Sequence, residues 1–136
     1  MKKVIKFILA VLGILTLALA VLIISFVLKT VSHMKKQLNG FDKTGIEISQ
    51  VQDGVYEGKS ETDLVKVEVR VTVLNGEISD IEILKHECGL GKPAEEMIPE
   101  MIQKNDVEVD AISSATFSSE VIKDAIRNAL RNGIHQ

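Results

Sequence analysis

The chain is poor in residues that support covalent or aromatic chemistry. It has one cysteine, no tryptophan, one tyrosine, four phenylalanines and two prolines in 136 residues. The lone Cys88 excludes an intramolecular disulfide, and there is no Cys-x-x-Cys, haem or cluster spacing. No cysteine follows the apolar N-terminal run, which excludes a lipoprotein signal. Free cysteine is usually a small buried hydrophobe, and Cys88 reads that way. The histidines are scattered: His33 falls in a stalk and His135 in the tail. His86-Glu87-Cys88 contains metal-ligand types. Neighbours on an extended backbone point to opposite faces, however, and one His plus one Cys falls short of four zinc ligands. The segment therefore reads as a solvated loop, with no metal expected. No base lies near a candidate nucleophile in sequence, so no catalytic residue is expected and an autonomous hydrolase has no support.

Acidic residues are missing from the first 41 positions; all 19 lie at Asp42 or beyond. Six of the 16 Lys and Arg lie at or before Lys36. The remainder carries ten basic against 19 acidic residues, a net charge of −9 against −3 for the whole chain. Such a domain repels phosphate backbones, which argues against nucleic acid as a partner. The N-terminal end has the opposite character. Phe7 to Leu28 is uncharged, broken only by Thr16 and Ser25. It exceeds the roughly 20 apolar residues that span a bilayer core as a helix. It reads as an uncleaved signal-anchor over residues 1–30. Cleavage after Ala18-Leu19-Ala20 would leave the apolar Val21–Leu28 at the new N-terminus. Lys2, Lys3 and Lys6 before the run balance Lys29, Lys35 and Lys36 after it, so charge leaves the orientation open.

Residues 31–50 are polar, with Asn39-Gly40 and Thr44-Gly45 as turn signals, and read as a linker or stalk. Residues 51–136 read as one domain. Val51–Gly58 is expected as a short strand with a turn or bulge at Asp53-Gly54. From Leu64 to Leu74, Val65, Val67, Val69, Val71 and Val73 alternate with Lys66, Glu68, Arg70 and Thr72, the pattern of a half-solvated antiparallel strand. Asn75-Gly76 supplies a type I′ turn. Glu77–Lys85 returns as the partner, with a parity shift between Ile78 and Ile81 that predicts a bulge or a twist in the pairing. His86–Lys92 is expected as a loop. A helix follows from Pro93 to about Lys104, kinked or restarted at Pro99. Val107–Val109 is a short extended piece, read as a short strand. Glu120–Arg131 shows helical spacing and ends at Gly133 in the usual position after a helix. The fold class is α+β: an N-terminal transmembrane helix, then a small antiparallel sheet with packed helices.

Two segments suggest phosphate chemistry. Gly54-Val55-Tyr56-Glu57-Gly58-Lys59-Ser60 imitates a P-loop, but three residues separate the glycines where four are needed, and no helix follows. The other is Val109-Asp110-Ala111-Ile112-Ser113-Ser114-Ala115-Thr116-Phe117-Ser118-Ser119, a row of hydroxyls opening into the last helix. A helix N-terminus with free N–H groups favours an anion. The plain structural reading is an N-cap, with Ser118 or Ser119 as the capping residue.

That second segment resembles the flavinylation motif of the FMN-binding domain family. The family pattern is an Asp, two spacers, Ser-Gly-Ala-Thr and a Ser/Thr-rich helix start. Asp53-Gly54-Val55-Tyr56-Glu57-Gly58 is similar to the family's opening strand, Val65–Ile83 to its hairpin, and Ala125–Leu130 to its closing helix. The resemblance implies FMN joined by its phosphate to Thr116, with Asp110, Ser113, Ser114, Ala115, Phe117 and Ser118 around it. It implies a flavin transferase that takes FMN from FAD, membrane or extracytoplasmic redox partners, and a domain outside the cytoplasmic membrane. The chain would be an electron carrier, not an enzyme with its own substrate. The alternative is the same fold holding FMN non-covalently, or a cofactor-free binding or sensory module. Ser114 stands where the family has glycine, which permits positive φ or close backbone approach without a Cβ.

Overall fold

The computed structural model describes residues 1–134 and divides the chain into two units, Met1–Lys36 and Gln37–Gln136. His135 lies outside the described residues.

The first unit is helical. Helix α1 runs Lys2–Asn39, and none of its residues is buried. Its best 18-residue window has a mean hydropathy of 3.1. By length and composition it can cross a membrane. At 1.5 Å per residue its 38 residues extend about 57 Å, well beyond the ~30 Å hydrocarbon core. The polar stretch from Val31 therefore begins as helix, with no break where the apolar run ends.

The second unit is a three-stranded antiparallel meander covered on one face by helices, an α+β arrangement. The strands are β1 (Gly54–Glu61), β2 (Lys66–Leu74) and β3 (Glu77–Glu87). Val65, Val67, Val69, Val71 and Val73 are all 3% exposed or less, as the period of two requires. On the opposite face Arg70 reaches across both neighbours, to Glu57 at 2.9 Å and Glu82 at 2.8 Å. Asn75 and Gly76 both have positive φ (54° and 74°), as the tight turn needs. Thr72 pairs with Asp80 but Val73 with Ile78, so Ser79 is the extra residue of the expected bulge. A second register shift leaves Leu84 extra.

Three boundaries differ from the sequence reading. β1 starts at Gly54 rather than Val51, because buried Val51 belongs to the turn that meets the end of the last helix; Gln52 N–H donates to the Gly133 carbonyl at 3.0 Å. β3 continues through His86 to Glu87, so His86 sits in a strand and not in a solvated loop. Val107–Val109 forms no strand, although Val107 and Val109 are buried and Glu108 is exposed, as in extended chain.

A 3₁₀ turn, Lys92–Met97, leads into helix α2 (Ile98–Lys104), restarted at Pro99 as expected. Asn105 ends α2 in the left-handed region; its Oδ1 accepts from Ile78 N–H at 2.8 Å and its Nδ2 donates to the Gly76 carbonyl at 3.2 Å. The last helix, α3, spans Thr116–Arg131 and lies on β1 and β2. It runs antiparallel to β1. Ser60 donates to Asp124 Oδ2 at 2.7 Å, Asn128 donates to the Lys59 carbonyl, and Asn132 to the Glu57 carbonyl. Gly58 permits the approach: a Cβ there would overlap the Ala125 carbonyl and the Ala129 backbone. Gly133 follows the helix with no left-handed φ. Its need for glycine comes from Tyr56 and Val51, whose side chains fill the space.

Candidate functional site

The hydroxyl-rich segment is anchored at both ends and exposed in the middle. Val107 and Val109 are buried. Asp110, Ser113, Ser114 and Thr116 are exposed, and Ala111 and Ile112 are half-buried. Ser113–Ala115 forms a single 3₁₀ turn. Ala115, 7% exposed, tucks beneath it, and its small side chain suits that crowded place.

Helix α3 begins at Thr116, four residues earlier than the sequence spacing suggested. This overturns the capping role expected for Ser118 or Ser119. Both lie inside the first turn and are buried, at 3% and 0% exposure. Ser119 Oγ accepts from Ile112 N–H at 3.1 Å and donates to the Ala115 carbonyl at 3.0 Å. Neither α3 nor the turn before it has a side-chain cap. The first-turn N–H groups and the positive end of the helix dipole are therefore left without a capping oxygen. Thr116 Oγ1 makes only long contacts, 3.4 Å each, to the Ile112 and Ser113 carbonyls. Such distances are at the limit of a hydrogen bond and leave the hydroxyl available.

Ser114 stands in ordinary backbone. Among the described residues, positive φ outside glycine occurs only at Asn75 and Asn105. The strain expected of a serine at this position is absent. Phe117 is half-buried and packs against the core. Tyr56 touches Gly133, at the far end of α3 and about 25 Å along the helix from Thr116, so it is no neighbour of this turn.

A second polar group supports this end of the domain. The His86 side chain is 2% exposed, with Nδ1 2.7 Å from Glu95 Oε1, and Lys92 Nζ holds the same carboxylate at 2.7 and 2.8 Å. Burial pushes the Glu95 carboxyl up, but the hydrogen bonds from Lys92 and His86 outweigh it and hold the group below its usual range. His86 Nε2 is sealed and has no partner among the described residues. The 3₁₀ turn carrying Lys92 and Glu95 packs against both Ser113–Ala115 and α3. Gly91 lies against Ser118, where a Cβ would collide with the hydroxyl. An open groove of about 440 Å³ runs over Lys92, Pro93, Glu95, Glu96 and Pro99. Cys88 is half-buried against the core. Among the described residues no cluster of three His, Cys, Asp or Glu could hold a metal ion.

The model of the FMN-binding domain family matches residues 64–131, half of the 136-residue chain. The chain belongs to the FMN-binding domain family. The match runs from the start of β2 to the end of α3 and contains the whole hydroxyl-rich segment; β1, with its Asp53–Gly58 resemblance, lies outside it. No curated protein matches the chain. Family membership gives FMN as the cofactor. The residues present fit its phosphate end: an exposed threonine hydroxyl, small exposed neighbours at Ser113 and Ser114, and an uncapped helix N-terminus. Sequence reasoning placed these residues but missed Ser119 as the internal tie and His86–Glu95 as buried support.

Proposed function

We propose that this chain is a membrane-anchored electron carrier that holds FMN through a phosphoester to Thr116. The observation that carries this reading is the exposed Thr116 hydroxyl at the uncapped start of α3. Among the described residues the hydrogen-bond partners of that hydroxyl are carbonyl oxygens, and a carbonyl is no general base. Attachment therefore calls for an external flavin transferase. Thr116 Oγ would bond to the FMN phosphorus of FAD as the pyrophosphate P–O bond breaks and AMP leaves. The hydroxyl proton passes to a base on the transferase. The resulting diester keeps one negative charge, which the α3 N-terminus favours by roughly 0.3–1 kcal/mol if exposed.

The bound flavin supplies the redox chemistry, and the protein supplies its position. Helix α1 is long and apolar enough to tether the domain to a lipid bilayer, and the family resemblance supports a domain outside the cytoplasm. Redox partners in the membrane and beyond it would exchange electrons with the carrier, which has no substrate of its own. Ser114 has no positive φ, which supports the covalent reading over the non-covalent or cofactor-free alternative.

The test is Thr116→Val in the full-length chain, co-expressed with a flavin transferase. The wild type is expected to give a fluorescent band on a denaturing gel and the mass of one added FMN moiety, and the variant neither. Covalent flavin on the variant would sink the assignment of Thr116.

A further inference from the structure

Two polar ties fold the segment before Thr116 back onto α3. Upstream, Arg127 Nε donates to Glu108 Oε1 at 2.7 Å, with the Arg127 side chain only 1% exposed. Downstream, the fully buried Ser119 hydroxyl bridges Ile112 N–H and the Ala115 carbonyl. The four residues from Ile112 to Ala115, both Ser119 contacts included, form the turn on which the Thr116 hydroxyl leans, through the Ile112 and Ser113 carbonyls. Besides Ser119, the turn is held by the buried Ala115 and by the Lys92–Met97 turn packed against it. Ser113 and Ser114 are exposed, and Ala115 N–H donates to the Ile112 carbonyl at 2.8 Å.

We propose that Ser119 is the positioning residue for modification of Thr116, an inference that rests on the flavin-acceptor reading above. The Ser119 hydroxyl makes no hydrogen bond to the acceptor oxygen; its partners are Ile112 N–H and the Ala115 carbonyl. It acts by keeping the Ile112–Ala115 turn closed, so that a transferase meets a preformed acceptor. An acceptor that is ordered only part of the time binds more weakly by the fraction that is ordered. Loss of Ser119 should therefore raise the transferase's KM for this chain and leave kcat nearly unchanged. The half-buried Ile112 N–H would lose its partner, and the loss of that bond corresponds to a KM increase of about tenfold.

The experiment compares full-length wild type and Ser119→Ala, purified in detergent, as acceptors for a flavin transferase supplied with FAD. Initial rates of covalent incorporation are read by intact mass across acceptor concentrations. Amide hydrogen exchange is followed on the same samples without transferase. The expected result is an increased KM with retained kcat, faster exchange at Ile112, and unchanged exchange in β2. An unchanged KM would overturn the proposal. So would accelerated exchange throughout β2, which would make Ser119 a general stability residue. If wild type takes up no flavin while a proven acceptor does, the flavin-acceptor reading falls and takes this inference with it. Flavin uptake by wild type and variant with equal KM removes the inference alone.

Discussion

The two ends of α3 are built to opposite rules. Toward its C-terminal end the helix lies so close to β1 that Gly58 and Gly133 have no room for a Cβ, and Asn128 and Asn132 donate to β1 carbonyls. At its N-terminal end, Ser113, Ser114 and Thr116 are exposed and the first turn has no side-chain cap. Ala125, Ile126, Ala129 and Leu130 are all 0% exposed, whereas the only fully enclosed polar side chain in the first turn is Ser119. One end spends its sequence on packing and the other on access. A helix held along its length by the sheet can leave its first turn open, because the packing fixes the axis on which that turn sits.

The largest effect should come from breaking the packed end. Gly58→Val places two methyl groups where the α3 backbone lies, and a backbone segment cannot move aside as a flexible side chain can. The expected loss is about 3 kcal/mol or more, the upper range for overpacking, read as a lower urea midpoint. A midpoint within experimental error of wild type would show that α3 is not pressed against β1. By contrast, Thr116→Val at the open end should leave the urea midpoint nearly unmoved while removing all covalent flavin.

An intermediate effect probes what supports the open end from outside α3. The Glu95 carboxyl is held below its ordinary value of 4.5, the Lys92 and His86 hydrogen bonds outweighing the effect of burial. A carboxyl with a lowered folded pKa contributes stability that is present above the unfolded value and is lost as pH falls through the folded one. Relative to Glu95→Gln, wild type should therefore keep a constant advantage above pH 4.5 and lose it on further acidification. Parallel stability curves down to strong acid would show that the Lys92–Glu95–His86 contacts contribute nothing to folding.

How far the sequence foretold each end follows from the kind of signal each carries. The sheet was legible because the β2 valines repeat every second residue and Asn75-Gly76 has few backbone options. The bulge at Ser79 was legible for the same reason, as a break in parity. Boundaries were not, where tertiary contacts overrode local pattern. Helix α3 starts at Thr116 because Ser119 finds its partners within the turn, which no periodicity reveals. His86 continues β3 because Glu95, nine positions further on, gives its buried ring a partner. The requirement for glycine at 133 was attributed to a helix-ending backbone, yet it arises from Tyr56, far away in sequence. The site was legible mainly through its resemblance to a family. Hydroxyls alone could not distinguish an acceptor from a cap.

The smallest effect expected is the most discriminating for the open end. Ser114→Gly restores the residue that the family pattern carries. If glycine were needed there for a left-handed backbone, the substitution would relieve strain and raise both stability and the rate of flavin attachment. Ser114 has no positive φ, and its side chain is exposed, so there is no strain to relieve. The glycine would instead add conformational freedom to the unfolded chain and lower stability by about 0.4–1 kcal/mol. Attachment to Thr116 should proceed at nearly the wild-type rate, because the tie through Ser119 is untouched. A melting temperature above wild type, or a marked gain in flavin incorporation, would mean that the acceptor-competent turn differs from the one described. The openness of this end of α3 would then reflect a resting shape that the transferase must change.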